Sequence, residues 1–349
     1  MERMKNDAGS GRLSSKALLL AGLRDKQGAP VSGPVLAEKL GVSRVAVWKT
    51  VQALTEAGYS IKTSEHGYSL DPQNEKDFLY PWEFGEKEPM FRHYLATDST
   101  MDRARELALR GTPGGTVITA EKQSAGRGRR GRTWISRQGG LFFTILERPG
   151  IAVMDYTLIS LAMQIAVARV VSSVCGKKAF LRWPNDVYIS RRKISGVTTE
   201  ISGEGDLIAW LSGGVGVNVN NPVPSAKTTS INEITGRQVS RRETLVKIID
   251  EIEKVKKTFA SAAVYSQGNP ALAAEWNSLA DCIGAKAAVF EQDGQSADEF
   301  KDRQGRVLAR GVFSGIDPAG RCVLQTGDGA GKLYFNQGSV SLAFINAGV

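Results

Sequence analysis

The sequence predicts an α+β protein with an N-terminal winged helix-turn-helix, a central mixed-sheet domain and a small β-rich C-terminal domain. Three observations predict it. Leu13–Leu70 passes from helical spacing to strand-like alternation. The middle interleaves strands and helices, but without the strict alternation of a doubly wound fold. The stretch Asp281–Val349 is short strands parted by glycine turns, as in "RGVFSGIDPAGRCVLQTGDG". The expected boundaries are 1–70, a linker at 71–89, a central domain at 90–280 and a final domain at 281–349.

Met1–Gly11 is polar and reads as a disordered tail. Ser15–Arg24 repeats Leu and Ala at helical spacing. "VLAEKLGVSRVAVWKTVQAL" follows, with Ala37, Gly41 and Val47 where a helix-turn-helix needs a small residue, a turn glycine and a branched anchor. Ser43 is the expected N-cap of the second helix, and Val47, Val51 and Leu54 form its apolar stripe. "YSIKTSEHGYSL" reads as a two-stranded wing. Ser43, Arg44, Ala46, Lys49 and Thr50 lie where a recognition helix would meet bases and phosphates. Trp48 is bulky for an exposed position, which leaves a buried place open to it. The alternative is a small three-helix interaction module. "DPQNEKDFLYPWEFGEKEP" is acidic and proline-punctuated, as a linker would be.

Strands are expected at Phe91–Leu95, Thr116–Glu121, Leu141–Leu146, Ala179–Trp183, Val197–Ile201 and Leu207–Leu211. Helices are expected at Asp102–Arg110, Asp155–Val174, Arg241–Phe259 and Pro270–Leu279. The longest apolar run, Leu158–Val174, is interrupted by Gln164 and Arg169, so it reads as a core helix rather than a membrane span. Three scattered cysteines without C-x-x-C argue against a structural zinc site and for a reducing compartment, so the expected location is cytoplasmic, away from membranes.

Net charge is +9, and its distribution is informative. Met1–Leu70 has ten Lys/Arg against six acids, whereas Lys122–Arg137 holds six basic residues and no acid. That second run contains "SAGRGRRGRTW", which satisfies G-x-G-x-x-G through Gly126, Gly128 and Gly131. A dinucleotide site needs a helix immediately after the glycines, and "RTWISRQGG" leads into a strand instead. An arginine–glycine nucleic-acid tail would be long and repetitive. The remaining reading is a loop that wraps an anionic ligand. Its glycines admit close backbone approach, and Arg127, Arg129, Arg130 and Arg132 present planar forks to phosphate or carboxylate. Mutual repulsion is expected to hold this loop open until an anion arrives. Trp134 offers a stacking wall or simple core filling. "GDGAGKLY" fails as a P-loop, with one residue too few and a leucine in place of Ser or Thr.

With these pieces together, the chain resembles the biotin–protein ligases. The resemblance rests on "AEKQSAGRGRRGRTW", "TDST" (Thr97–Thr100), "RWPND" (Arg182–Asp186), "RKISGV" (Arg192–Val197) and "GGVGVNVN" (Gly213–Asn220), in the family's order. The helix-turn-helix in front resembles the bifunctional members, which also repress biotin genes. The resemblance implies a class II aminoacyl-tRNA-synthetase-like central domain and an SH3-like C-terminal barrel. It implies ATP and biotin as reactants, with Mg²⁺, and biotinyl-5′-AMP as both intermediate and corepressor. The implied partners are the biotin carrier protein of acetyl-CoA carboxylase or a related carboxylase, operator DNA, and a second copy of the chain when adenylate is bound. A biotin sensor without catalysis is the rival reading.

By resemblance, Lys193, Arg129 and Asp186 carry the chemistry. Ser99, Thr100, Met101, Gln123, Gly126, Arg127, Gly128, Arg129, Arg130, Gly131, Arg132, Trp134, Lys193, Gly196 and Asn218 bind biotin or its adenylate. Asn185 and Asp186 are the candidates for Mg²⁺. Two departures stand out. Met101 replaces an asparagine, and Arg182 a lysine, at family positions. The polar run Asp293–Arg306 also looks longer than its equivalent.

Overall fold

The computed structural model describes residues 13–74, 76–129, 132–260, 268–291, 306–327, 331–337 and 340–344. The tail expected at Met1–Gly11 and nearly all of the long polar run (residues 292–305) lie outside these. The chain divides into two compact units, Met1–His93 and Tyr94–Val349.

The first unit is a winged helix. Helices α1 (Ser15–Arg24), α2 (Gly33–Leu40) and α3 (Arg44–Glu56) precede strands β1 (Ile61–Ser64) and β2 (Gly67–Leu70). Ser14 and Ser43 each accept a first-turn N–H, at 3.2 Å, and so cap α1 and α3. Gly41 closes the turn between α2 and α3 in the left-handed region, φ 65°. Leu19, Leu20, Leu23, Leu36, Val47, Val51 and Leu54 meet in one core. Burying each contributes about 1.5–3 kcal/mol.

The stretch 71–89, expected as a linker, falls inside this unit's bounds and carries short 3₁₀ turns at Pro72–Asn74, Pro81–Glu83 and Gly85–Met90. Phe78, Tyr80 and Trp82 pack against the winged-helix core. Arg24 donates to both carboxylate oxygens of Glu83 at 2.9 Å, and the Glu83 side chain has no exposure. Tyr59 donates to the same carboxylate and accepts from Trp82 Nε1 at 2.9 Å. Acid and proline content resembled a linker because the pairing of Glu83 with Arg24 is non-local.

The second unit is built on a seven-stranded sheet, whose first strand straddles the boundary at His93. Its strands are β3 (Phe91–Tyr94), β4 (Thr116–Ala120), β5 (Leu141–Glu147), β6 (Ala179–Arg182), β7 (Asp186–Ile189), β8 (Arg192–Glu204) and β9 (Leu207–Val217), in the order β3-β4-β5-β9-β8-β7-β6. Helices α4 (Thr100–Leu109) and α5 (Tyr156–Cys175) cover opposite faces. Neighbouring glycines of β9 reveal this: a Cβ on Gly213 would strike Met163 Sδ of α5, and one on Gly214 would strike Met101 Sδ of α4, each at 2.5 Å or closer. Helix α5 is long and apolar enough to span a membrane, but most of it is buried against the sheet, α6 (Ile231–Thr235), α7 (Arg241–Ala260) and α8 (Pro270–Leu279).

The C-terminal part corrects the expected SH3-like barrel. Strands β10 (Lys286–Glu291), β11 (Val307–Ile316), β12 (Cys322–Gln325), β13 (Lys332–Phe335) and β14 (Val340–Phe344) form an antiparallel sheet in the order β13-β12-β11-β10-β14. A barrel requires its two end strands to pair. Among the described residues β14 pairs only with β10 and β13 only with β12, so the sheet stays open. It sits against the central domain through the 317–321 turn, where Gly320 O accepts from Trp183 Nε1 and Ala319 O from Thr157.

Candidate functional site

The arginine–glycine loop joins β4 to β5 on the face that carries α4. Its described residues already pair with each other: Arg127 bridges Thr133, Gly128 N–H donates to Arg132 O at 2.7 Å, and Trp134 N–H to Gly126 O at 2.8 Å. Gly126 must be glycine, since a Cβ would stand 2.4 Å from Trp134 O. Arg127 lies 2.6 Å from Asp102 in the first turn of α4. Among the described residues, the loop expected to be held open by repulsion is folded on itself through backbone hydrogen bonds, and Asp102 pairs with one of its cations. Nothing in the sequence run itself contains that acid. Arg130 and Gly131 lie outside the described residues.

Gln123 ties the loop root to α4. Its Oε1 accepts from the Thr100 N–H at 2.8 Å and the Thr100 hydroxyl at 3.1 Å, while its Nε2 donates to Ser136 Oγ at 2.7 Å. Thr144 on β5 donates to Thr100 Oγ1 at 2.8 Å. Ser99 caps α4 through Met101 N–H. Beside it, a hydrogen bond from the Thr97 hydroxyl, with further ones from Ser99 N–H and Arg103, lowers the Asp98 carboxyl to about 2. Met101 is buried, with its sulfur over Gly214. A polar asparagine could not fill that apolar contact equally. A groove of about 750 Å³, lined by Thr97, Lys122, Gln123, Ser124, Ser136 and Arg137, borders this network.

Trp134 lies over the sheet. A Cβ on Gly216 would meet indole Cε2 at 2.5 Å, and one on Gly196 would meet Cζ3 at 3.2 Å, so these two glycines make the floor beneath the ring. The buried Nε1–H makes no hydrogen bond among the described residues. Lys193 Nζ stands 5.4 Å from the ring centroid and 2.7 Å from Asp186 Oδ1. The hairpin β7–β8 brings Lys193 there, turning at Ser190 and Arg191 with φ 48° and 63°. Lys193 itself is the second residue of strand β8.

The structure brings Ser99, Thr100, Met101, Gln123, Gly126, Arg127, Trp134, Asp186, Lys193 and Gly196 into one region around α4 and the centre of the sheet. Two candidates are otherwise engaged. Asn218 Oδ1 accepts from Asn221 Nδ2 at 3.0 Å, and Asn185 Nδ2 donates to Val197 O at 2.9 Å. Sequence reading missed Asp102, Ser136 and Thr144. Only Asp102 left a signal, as an acid in a helix's first turn. No cluster of three or more metal-type side chains occurs among the described residues.

On the winged helix, Ser43 Oγ is occupied in capping, and the Thr50 hydroxyl donates to Ala46 O at 2.8 Å. Arg44 and Lys49 are exposed, as are Val45 and Trp48, the last by 48%. Trp48 therefore stands exposed on α3 and not in the core.

Comparison with known proteins agrees with this arrangement. The model of the biotin/lipoate A/B protein ligase family matches residues 95–218, and that of an HTH domain matches 16–69. The bifunctional ligase/repressor BirA of Bacillus subtilis (strain 168) is 30% identical over 316 residues, spanning 87% of this chain and 92% of that protein. The bifunctional ligase/repressor BirA of Escherichia coli (strain K12) is 28% identical over 294 residues, spanning 79% and 87%. The biotin protein ligase from Aquifex aeolicus in complex with biotin and ATP is similar with TM-score 0.58 and 25% identity, covering 73% of this chain and 99% of that one.

Proposed function

This chain belongs to the biotin/lipoate A/B protein ligase family, among its bifunctional ligase/repressors, and from that premise we propose how its own residues do the work. It is an ATP-dependent biotin–protein ligase and a biotin-responsive repressor. The reaction joins the biotin carboxylate to the α-phosphate of ATP with loss of pyrophosphate. An acceptor lysine then attacks the mixed anhydride and releases AMP.

The observation that carries the assignment of roles is the ammonium of Lys193 beside Trp134, over the floor of Gly196 and Gly216. Bringing a carboxylate to a triphosphate sets anion against anion, so cations must screen the approach and stabilise charge on the equatorial oxygens. Lys193 supplies a point charge there, leaving Asp186 as the anion closes in. Arg127 and Arg129 hold the product adenylate when Arg127 exchanges Asp102 for phosphate. Gln123, Ser99 and Thr100 orient the biotin end, and Trp134 covers the adenine with its ring face.

Asp186, once released by Lys193, and the side-chain oxygen of its neighbour Asn185, whose Nδ2 is held by Val197 O, would hold Mg²⁺, since a hard cation takes oxygen donors. When bound, it would screen phosphate charge. The acceptor is a carboxylase biotin carrier protein, encountered in the cytoplasm. Adenylate favours a homodimer whose paired α3 helices read a two-fold operator through Arg44, Lys49 and Trp48.

Purified chain with biotin, MgATP and an acceptor domain is expected to release pyrophosphate and label one acceptor lysine. Absence of biotin-dependent ATP–pyrophosphate exchange would sink the catalytic assignments.

A further inference from the structure

The arginine–glycine loop leaves the sheet at Glu121 and returns at Gly140, and one buried side chain touches both roots. Arg241, the first residue of α7, places Nη1 2.7 Å from Glu121 Oε2 and 3.2 Å from Gly140 O, with Nη2 3.3 Å from Glu121 Oε1. The Arg241 and Glu121 side chains are 7% and 12% exposed. Asn220 reinforces the same junction. Its N–H donates to Gly139 O at 2.8 Å, and its side chain accepts from Val239 N–H at 3.0 Å and donates to Val239 O at 2.8 Å, two residues before Arg241.

We infer that Arg241 is a positioning residue for the ligand loop, a clamp that fixes both loop roots before any ligand arrives. The inference rests on the ligase reading and extends it to a residue remote from the reacting atoms. A buried ion pair is a weak stability device, since an apolar pair of similar volume often serves as well or better. What the guanidinium adds is direction. A planar fork with five donors satisfies a carboxylate and a carbonyl together, which a single ammonium does less well. Glu121 lies two residues before Gln123, and Gln123 holds Thr100 at the start of α4. The clamp therefore sets the register of the loop against α4. Loop entropy removed in advance is not charged against binding, so the adenylate is held longer.

The test pairs Arg241→Met with Glu121→Leu, an apolar exchange chosen to keep the fold, and measures biotinyl-adenylate dissociation. Dissociation should be about tenfold faster, with the unfolding temperature and the pyrophosphate-exchange rate at saturating substrates near wild type. Arg241→Lys keeps a charge partner for Glu121 but releases Gly140 O, and should give an intermediate rate. Wild-type adenylate retention in either folded variant overturns the clamp. In the unaltered protein, the Asn220 amide, which donates to Gly139 O, should show equal hydrogen-exchange protection with and without adenylate, and protection that arises only with adenylate also overturns it. Failure of the ligase reading would show separately, as no biotin-dependent exchange in the wild type.

Discussion

At the scale of single residues, the proposed chemistry turns on one ammonium that is easily moved. Lys193 is partly exposed and paired with Asp186, a surface pair worth about 0–1 kcal/mol of stability. Lys193→Ala should therefore leave the unfolding temperature nearly unchanged. Adenylation should fall by about 10²–10³-fold, the usual cost of losing one preorganised charge-stabilising donor. The loss should fall on kcat more than on the KM for biotin. A variant adenylating at the wild-type rate removes the role. Asp98 makes a different prediction. Its carboxyl is lowered from 3.8 to about 2, chiefly by the Thr97 hydroxyl. A depressed carboxyl stabilises the fold while ionised, so its contribution is whole above about pH 4 and disappears as pH falls toward 2. The gap in unfolding temperature between wild type and Asp98→Asn should be constant near neutrality and narrow through that window. A gap independent of pH would mean that the charge has no part. Most residues around the site were legible in the sequence, because glycine and arginine are used there for backbone approach and charge. Asp102, Ser136 and Thr144 were not, since their partners are brought close only by the sheet.

At the scale of elements, legibility depended on how local the signal was. The capped helices α1 and α3 and the wing were readable, since Ser14, Ser43 and Gly41 act on their own neighbours. Strand β7 was missed. Its hairpin turns on Ser190 and Arg191 at positive φ, without the Gly or Asn that marks such turns. Strand β9 was cut short at Leu211 because its glycines look like a loop. They are strand residues whose missing side chains admit Met101, Met163 and Trp134. At 71–89 the acidic composition hides a structural role, since Glu83 is buried against Arg24. Glu83→Gln should test this. It leaves Arg24 beside a neutral partner at a fully buried position, a loss of about 3 kcal/mol. Burial, together with the Glu83 carboxylate, holds the Tyr59 phenol protonated far above its ordinary range, so Tyr59 cannot replace that charge. Chemical unfolding should show a weakened winged unit and poorer operator binding, while pyrophosphate exchange stays near wild type. Unchanged stability would return the stretch to linker status.

For the whole molecule, the sequence announced a basic winged helix and a cationic ligand loop, but it misled on the C-terminal strands, which were expected to close into a barrel. Closure depends on pairing between the first and last strands of a sheet, and glycine spacing carries no such information. Nor does the sequence couple the two activities, and here thermodynamics supplies the prediction. If adenylate favours the dimer that grips operator, the two ligands share one coupling free energy. Whatever factor adenylate adds to operator affinity, operator must add to adenylate affinity. A factor of about 5–150 is the ordinary range. Non-specific DNA, bound through phosphate charge alone, should show the same steep salt dependence but far less coupling, because neither half-site spacing nor Trp48 is engaged. Operator titrations with and without biotin plus ATP give the first factor. Adenylate titrations with and without operator give the second, at matched salt and protein concentration. Equal factors above unity support one linked equilibrium. A factor of one in both titrations, or equal coupling on random DNA, would show that ligase and repressor share a chain without sharing a switch.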